Sequence, residues 1–182
     1  MLQPYENENL IFIDTEYSSL DPETGVLLSI GVVKLSGEEF YLELEHTADV
    51  SDWVQEHIIP MLTQEKVSAE EAAKQIRDFI GDSLPFAVAF VDNYDVILLT
   101  KLLGAGELPF RWATIDFASI LFAIGVNPVK FLPGEKGAAS FYRKLGIKYG
   151  KYRKHHALDD AKLLRDVWLK ITEQTADSDQ PK

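Results

Sequence analysis

Asp14 and Glu16 stand two residues apart at the end of an uninterrupted apolar run, Leu10-Ile11-Phe12-Ile13. Four apolar residues without alternation predict a strand buried on both faces, the centre of an α/β sheet. Successive side chains of a strand point to opposite faces, so Asp14 and Glu16 leave the same one. Two carboxylates side by side at the edge of a core repel each other and are costly to desolvate unless a cation lies between them. A polar strand end entering a turn is the plain alternative, and the choice rests on whether the chain supplies further ligands.

Two more acids stand where apolar residues belong. Ala157, Asp160, Ala161, Leu164, Trp168 and Ile171 recur at spacings of three and four and form the core-facing stripe of a helix. Asp160 is inside that stripe and needs a partner, whereas Asp159 falls off it and is expected in solvent. Asp95 likewise shares a helix face with Leu98, Leu99 and Leu102. Its competitor Asp92 has a structural task available as the helix cap. His155 lies five residues before Asp160, about 140° round a helix after one full turn, so it fits the segment just ahead of the helix. A histidine beside a carboxylate cluster is a candidate general base, with His156 the alternative in the same place.

The elements that must position these groups follow from pattern. Val26–Val33 and Glu39–Leu44 predict two more strands, joined at Ser36-Gly37 and making an antiparallel three-strand meander with the first. In the third strand Phe40, Leu42 and Leu44 alternate with Tyr41 and Glu43. A short helix over Asp52–Met61 is stopped near Pro60, and Ser68 with Glu71 forms a capping box for a helix through Ile80. Then follow a strand over Phe86–Val91, a helix over Asp92–Leu103, a short strand within Phe110–Ile115, and a helix over Asp116–Ile124. One more helix is expected within Gly134–Gly146, and a last one over Ala157–Ile171. Gly104-x-Gly106 follows a helix and not a strand, so it is no nucleotide loop. The fold class is α/β, a mixed sheet of a meander plus parallel strands flanked by helices. Residues 1–174 are expected to form a single domain and 175–182 a disordered polar tail.

Length and composition bound the rest. The 182 residues are 46% apolar and 26% charged, as in a soluble globular domain. With no Cys there is no disulfide framework, thiolate zinc site or cysteine nucleophile, which suits a reducing cytoplasm. Met1–Glu8 shows no signal peptide, and no apolar run is long enough for a membrane span. The net charge of −11 argues against general nucleic-acid binding, but it is uneven: residues 1–128 hold 22 acidic and 6 basic residues, residues 129–182 hold 7 and 12. The basic excess gathers in Arg143, Lys144, Lys148, Lys151, Arg153 and Lys154, a patch able to guide a phosphodiester backbone or simply a solvated face.

Ile11-Phe12-Ile13-Asp14-Thr15-Glu16, Tyr94-Asp95 opening a helix, and His155-His156-Ala157-Leu158-Asp159-Asp160-Ala161 resemble, in order and spacing, the three motifs of the DEDDh (DnaQ-like) 3′–5′ exonucleases. The resemblance spans about residues 9–173 and implies a ribonuclease-H-like fold. Its third motif, His-x-Ala-x-x-Asp-Ala, places the base on His155 and a metal ligand on Asp160. The second motif departs from the pattern, with Val91-Asp92-Asn93 where many members have His-Asn ahead of the Asp. Asp14-Thr15-Glu16-Tyr17 and the Trp53-Val54 and Ile59–Leu62 segment look closest to a bacterial exoribonuclease branch. The resemblance implies two Mg²⁺ or Mn²⁺ ions on Asp14, Glu16, Asp95 and Asp160, with Asp14 bridging both and Glu16 serving one. It also implies contact of Tyr17, Ser18, Ser19 and Leu20 with the 3′-terminal nucleotide, single-stranded 3′ ends as substrate with RNA favoured over DNA, and a homodimer. A DNA-directed exonuclease and a two-metal nucleotide phosphohydrolase are the alternatives.

Overall fold

The computed structural model describes residues 9–21 and 23–178, with side chains as far as Glu173. Among these residues six strands form one sheet in the order β4-β3-β2-β1-β5-β6. They are β1 (Leu10–Tyr17), β2 (Leu27–Lys34), β3 (Glu39–Leu44), β4 (Lys66–Val67), β5 (Phe86–Ala89) and β6 (Ile115–Asp116). The helices are α1 (Asp52–His57), α2 (Ala69–Ile80), α3 (Asn93–Leu103), α4 (Phe117–Ala123), α5 (Ala138–Lys144) and α6 (Ala157–Ser178). The pairs β1–β2 and β2–β3 are antiparallel, as the short connections require, while β5 joins β1 and β6 joins β5 in parallel through helical crossovers.

The first apolar run does bury both faces. Ile11 and Ile13 pack with Ala72, Ile76 and Ile80 of α2 and Leu98 and Leu99 of α3. Phe12 packs on the other side with Phe117 of α4, Tyr142 of α5, and Leu164 and Val167 of α6. β1 therefore has helices on each face and a strand on each edge, which leaves its C-terminal end as the place where polar side chains can gather.

Several expectations are corrected. The helix over Asp52–Met61 is two pieces, α1 and a 3₁₀ turn at Ile59–Met61, because Pro60 has no N–H to continue the α-helical ladder. β5 stops at Ala89 and not at Val91, whose backbone is left-handed (φ 56°) and whose N–H is taken by the Asp116 carboxylate. Of the expected strand over Phe110–Ile115 only Ile115 pairs with β5, together with Asp116, which was expected to open the next helix. α6 continues past the expected end at Ile171 to Ser178; residues 179–182 lie outside the described residues, as does Met1–Glu8. The short β4 had no pattern to announce it. Among the described residues no helix is long and apolar enough to cross a membrane.

Glu43 is the largest departure from pattern. Alternation assigned it to the polar face of β3, yet it is fully buried, because the α1–β4 segment covers that face as well. Its Oε1 accepts hydrogen bonds from the Tyr41 hydroxyl and from the backbone N–H groups of Thr63 and Gln64, tying the segment to the sheet.

One close approach sets the relation between sheet and α6. Gly31 of β2 lies opposite Asp14 in the ladder, and a Cβ added there would sit 2.4 Å from the backbone of Ala157 and Leu158. Only glycine lets the start of α6 rest against β2. Gly31→Ala is therefore expected to cost about 1–3 kcal/mol in denaturant unfolding, since backbone and not a flexible side chain must move. Gly150→Ala, with open space around its Cβ, is the control and should change stability by less than about 0.5 kcal/mol. Equal effects of the two would refute the close-approach argument.

Candidate active site

β1 and α6 bring three of the four sequence-marked acids together. Asp14 and Glu16 emerge from the face of β1 that α6 covers, and Asp160 reaches them from the first turn of α6. One carboxylate oxygen from each lies within 4.8 Å of the others, a cluster that can hold a metal ion. Burial is the main force raising the affinity of all three for protons, and mutual repulsion adds to it for Asp14 and Glu16. Asp14 is pushed well above the ordinary carboxylate range by burial and then by Asp160 and Glu16. Glu16 is raised to about 8 by burial, then by Asp160 and Asp95. Asp160 is raised to about 7 by burial, against hydrogen bonds from the backbone of His156 and His155. The donor set is all oxygen and short of positive charge, which fits a hard divalent cation such as Mg²⁺ or Mn²⁺.

Asp95 stands beside this cluster and not in it. It is buried at the start of α3, and its Oδ1 accepts a 2.6 Å hydrogen bond from the hydroxyl of Thr15, the residue between the two strand acids. Burial raises it to about 7, and its charge is felt by both Asp14 and Glu16. Asp92 is not the side-chain cap that its position suggested: its carboxylate accepts from the Thr114 hydroxyl and makes no capping bond.

The two histidines diverge. His155 has a left-handed backbone (φ 55°), and the next ring points elsewhere. His155 lines the cleft over the acids, with its ring edge-on to Trp53 at 5.1 Å. His156 is buried and stacks on Tyr41 at 4.4 Å, away from the cluster. Burial, then Lys154 and His57, lower the proton affinity of His155, so its ring is neutral at pH 7. Asp159, expected in solvent, is buried and receives hydrogen bonds from the Arg153 backbone N–H and guanidinium; those bonds outweigh burial and hold its proton affinity below the ordinary value. Arg153 thus clamps the entry to α6 just before the chain turns at His155.

A cleft of about 790 Å³ opens above the acids. Toward the β2–β3 side it is walled by Tyr17, Ser19, Leu20 and Trp53, and toward β5 by Phe90, Phe131, Leu132 and Pro133. Tyr17 is braced by stacking on Tyr94 at 5.5 Å. Leu20 and Trp53 offer 65% and 51% of their surface to solvent, unusual for such side chains and suited to contact with a flat ligand. Ser18 differs from its neighbours: it is buried, its backbone N–H and hydroxyl engaged with Val26, and it does not line the cleft. The second wall, Phe90 and Phe131 in particular, was not marked by sequence, because these residues read as ordinary core.

No known family model matches the chain. The chain is 28% identical over 182 aligned residues to the PolC-type DNA polymerase III of Thermotoga maritima, and equally to that of Thermotoga petrophila. The match covers 93% of this chain but only 12% of each relative. The structure superposes on Pop2p of S. pombe in its Mg²⁺- and Mn²⁺-bound form with a TM-score of 0.68, over 96% of this chain and 86% of that one. The fold is ribonuclease-H-like. A chain of the yeast NOT1 MIF4G domain–CAF1 complex shares it less closely, with a TM-score of 0.56 over 92% of this chain and 81% of that one. At 13% and 11% sequence identity these two likenesses concern the ribonuclease-H-like fold alone.

The clustered acids make the metal-free protein sensitive to pH in a defined direction. A carboxyl whose folded pKa lies above its unfolded value contributes stability that is fully present below the unfolded value and lost as pH rises through the folded one. Here that loss falls around pH 7 to 8 for Asp160, Asp95 and Glu16. In EDTA at pH 8, Asp14→Asn is expected to melt at a higher temperature than the parent, with the gap closing toward pH 5. Mg²⁺ or Mn²⁺ at pH 8 should raise the melting temperature of the parent and much less that of the variant. Thermal scans at both pH values check this; a variant less stable at pH 8 would refute it.

Proposed function

We propose that this chain is a metal-dependent 3′–5′ exonuclease domain acting on single-stranded nucleic-acid ends. The observation that carries the reading is the convergence of Asp14, Glu16 and Asp160 within 4.8 Å, under a cleft that His155 also lines. Asp14, Glu16 and Asp160 would hold divalent cation, with Asp95, whose charge acts on Asp14 and Glu16, as a further ligand. When bound, two Mg²⁺ or Mn²⁺ ions supply neutralisation of the scissile phosphate and a more acidic attacking water. His155 is suited to accept the proton of that water, because burial keeps its ring neutral. Tyr17, Ser19 and Leu20 would seat the terminal nucleotide, with base stacking supplying affinity without sequence preference. Ser18 would act by holding the loop and not by touching substrate.

Two polymers are supported by different observations. The Asp14-Thr15-Glu16-Tyr17 and Trp53-Val54 segments resemble an exoribonuclease branch and favour RNA. The 28% identity to a protein named as a DNA polymerase favours DNA as the second reading. We further propose a homodimer, on the resemblance, and a cytoplasmic location, on the Cys-free composition; sedimentation tests the dimer.

The deciding experiment offers 5′-labelled RNA and DNA oligomers with 3′ overhangs, in Mg²⁺, Mn²⁺ or EDTA, beside Asp14→Ala. Stepwise metal-dependent shortening from the 3′ end, lost in EDTA and in the variant, is expected. No shortening of either polymer, or release of phosphate from mononucleotides alone, would sink the proposal. The rate should also fall on the acid side, with a midpoint below the ordinary histidine value of 6.5, and His155→Gln should lose about 10²–10⁴-fold in kcat.

A further inference from the structure

The cleft must accept a polyanion, yet Asp14, Glu16, Glu135 and Asp160 all line it. Against these four acids it presents, among the described residues, one cationic side chain, Lys154; the cleft's His155 is neutral. The other residues of the basic run are committed elsewhere or lie outside the cleft. Arg153 is bound to Asp159, and Lys151 to Asp166. Lys154 has no carboxylate within ion-pair distance among the described residues. Its position is also defined: a Cβ added at Gly134, where φ is +99°, would lie 2.9 Å from the Lys154 ammonium. The side chain thus starts beside His155 and ends against the loop that carries Leu132, Pro133 and Glu135, spanning the mouth toward the β5 side.

The cleft accordingly has two ends. Tyr17, Leu20 and Trp53 form the end that suits a terminal base, and Leu132 and Pro133 form the end over which Lys154 lies. With a terminal base seated at the first end and the scissile phosphate over the three acids, the next phosphodiester would lie toward the second end. We propose that Lys154 binds the phosphodiester one step upstream of the scissile one, and is the residue that offsets the repulsion between the acidic cleft and the strand. This rests on the exonuclease reading above. An ammonium facing a phosphate makes a charge-assisted hydrogen bond, whereas an unpaired surface lysine would contribute nothing specific.

The test pairs Lys154→Met and Lys154→Arg with oligomers carrying one neutral methylphosphonate linkage, assayed at pH 8. Lys154→Met should raise KM about tenfold with kcat within about twofold, as expected for one lost charge-assisted bond. Its binding should also lose about 0.7 from the slope of log affinity against log salt, the signature of one phosphate contact on a single strand. Lys154→Arg should keep both. A methylphosphonate immediately upstream of the scissile linkage should raise KM for the parent and have no further effect on Lys154→Met. Placed two linkages further upstream, it should affect both proteins alike.

Binding by fluorescence anisotropy in an Asp14→Asn background reads the same contact without turnover. A parent that shortens the oligomers, with KM and salt slope unchanged in Lys154→Met, overturns this inference and leaves the exonuclease reading. A parent that binds through Lys154 but cleaves nothing supports the contact and overturns the exonuclease reading. Absence of binding overturns both.

Discussion

The structure depends on holding like charges together. Asp14, Glu16 and Asp160 repel one another, and burial penalises each as an anion. Nothing in those side chains favours their meeting. They meet because the backbone carrying them is fixed by other forces: the apolar faces of β1 and α6, and the contact of α6 with Gly31 directly across the ladder from Asp14. Hydrophobic burial on both faces of the sheet, about 1.5–3 kcal/mol for each fully buried large side chain, sustains an arrangement that electrostatics opposes. Such a site stores a demand for positive charge, and a hard divalent cation is the ligand that meets it.

The entry to α6 performs a second piece of organisation. Within a few residues the chain is clamped by the Arg153–Asp159 pair, turned through a left-handed residue at His155, and launched as a helix at Ala157. A left-handed backbone at a residue with a side chain costs of order 1 kcal/mol, and such strain clusters at functional sites. Here it separates two adjacent rings: His155 lines the cleft and His156 stacks on Tyr41. Their neighbours differ, and with them their chemistry.

The wall on the β2–β3 side is held less directly. α1 carries Trp53 and Val54, which line the cleft, and the segment that follows α1 is tied to the sheet by the buried carboxylate of Glu43 through the N–H groups of Thr63 and Gln64. Leaving that buried carboxylate oxygen without donors would cost at least about 1–3 kcal/mol. A buried acid distant in sequence from the reaction centre therefore helps shape the space in which a substrate would lie.

The sequence by itself determined the meander, the capped helix after Ser68, the apolar strand ending in Asp14 and Glu16, and the placing of Asp160 on the buried stripe of α6. All of these are local periodicities of two or 3.6 residues, which side-chain geometry imposes along the chain. The choice of His155 over His156 came from resemblance, and the structure gives its physical basis in the turn between them. What periodicity could not carry is proximity across the chain. It did not show that Asp95 bonds Thr15 and stands outside the three-acid cluster, or that Ser18 turns inward. Nor did it show that Asp159 is buried against Arg153, that Glu43 is covered, or that Lys154 reaches Gly134. Each of these depends on which surface a distant segment happens to cover, so only the tertiary structure decided them.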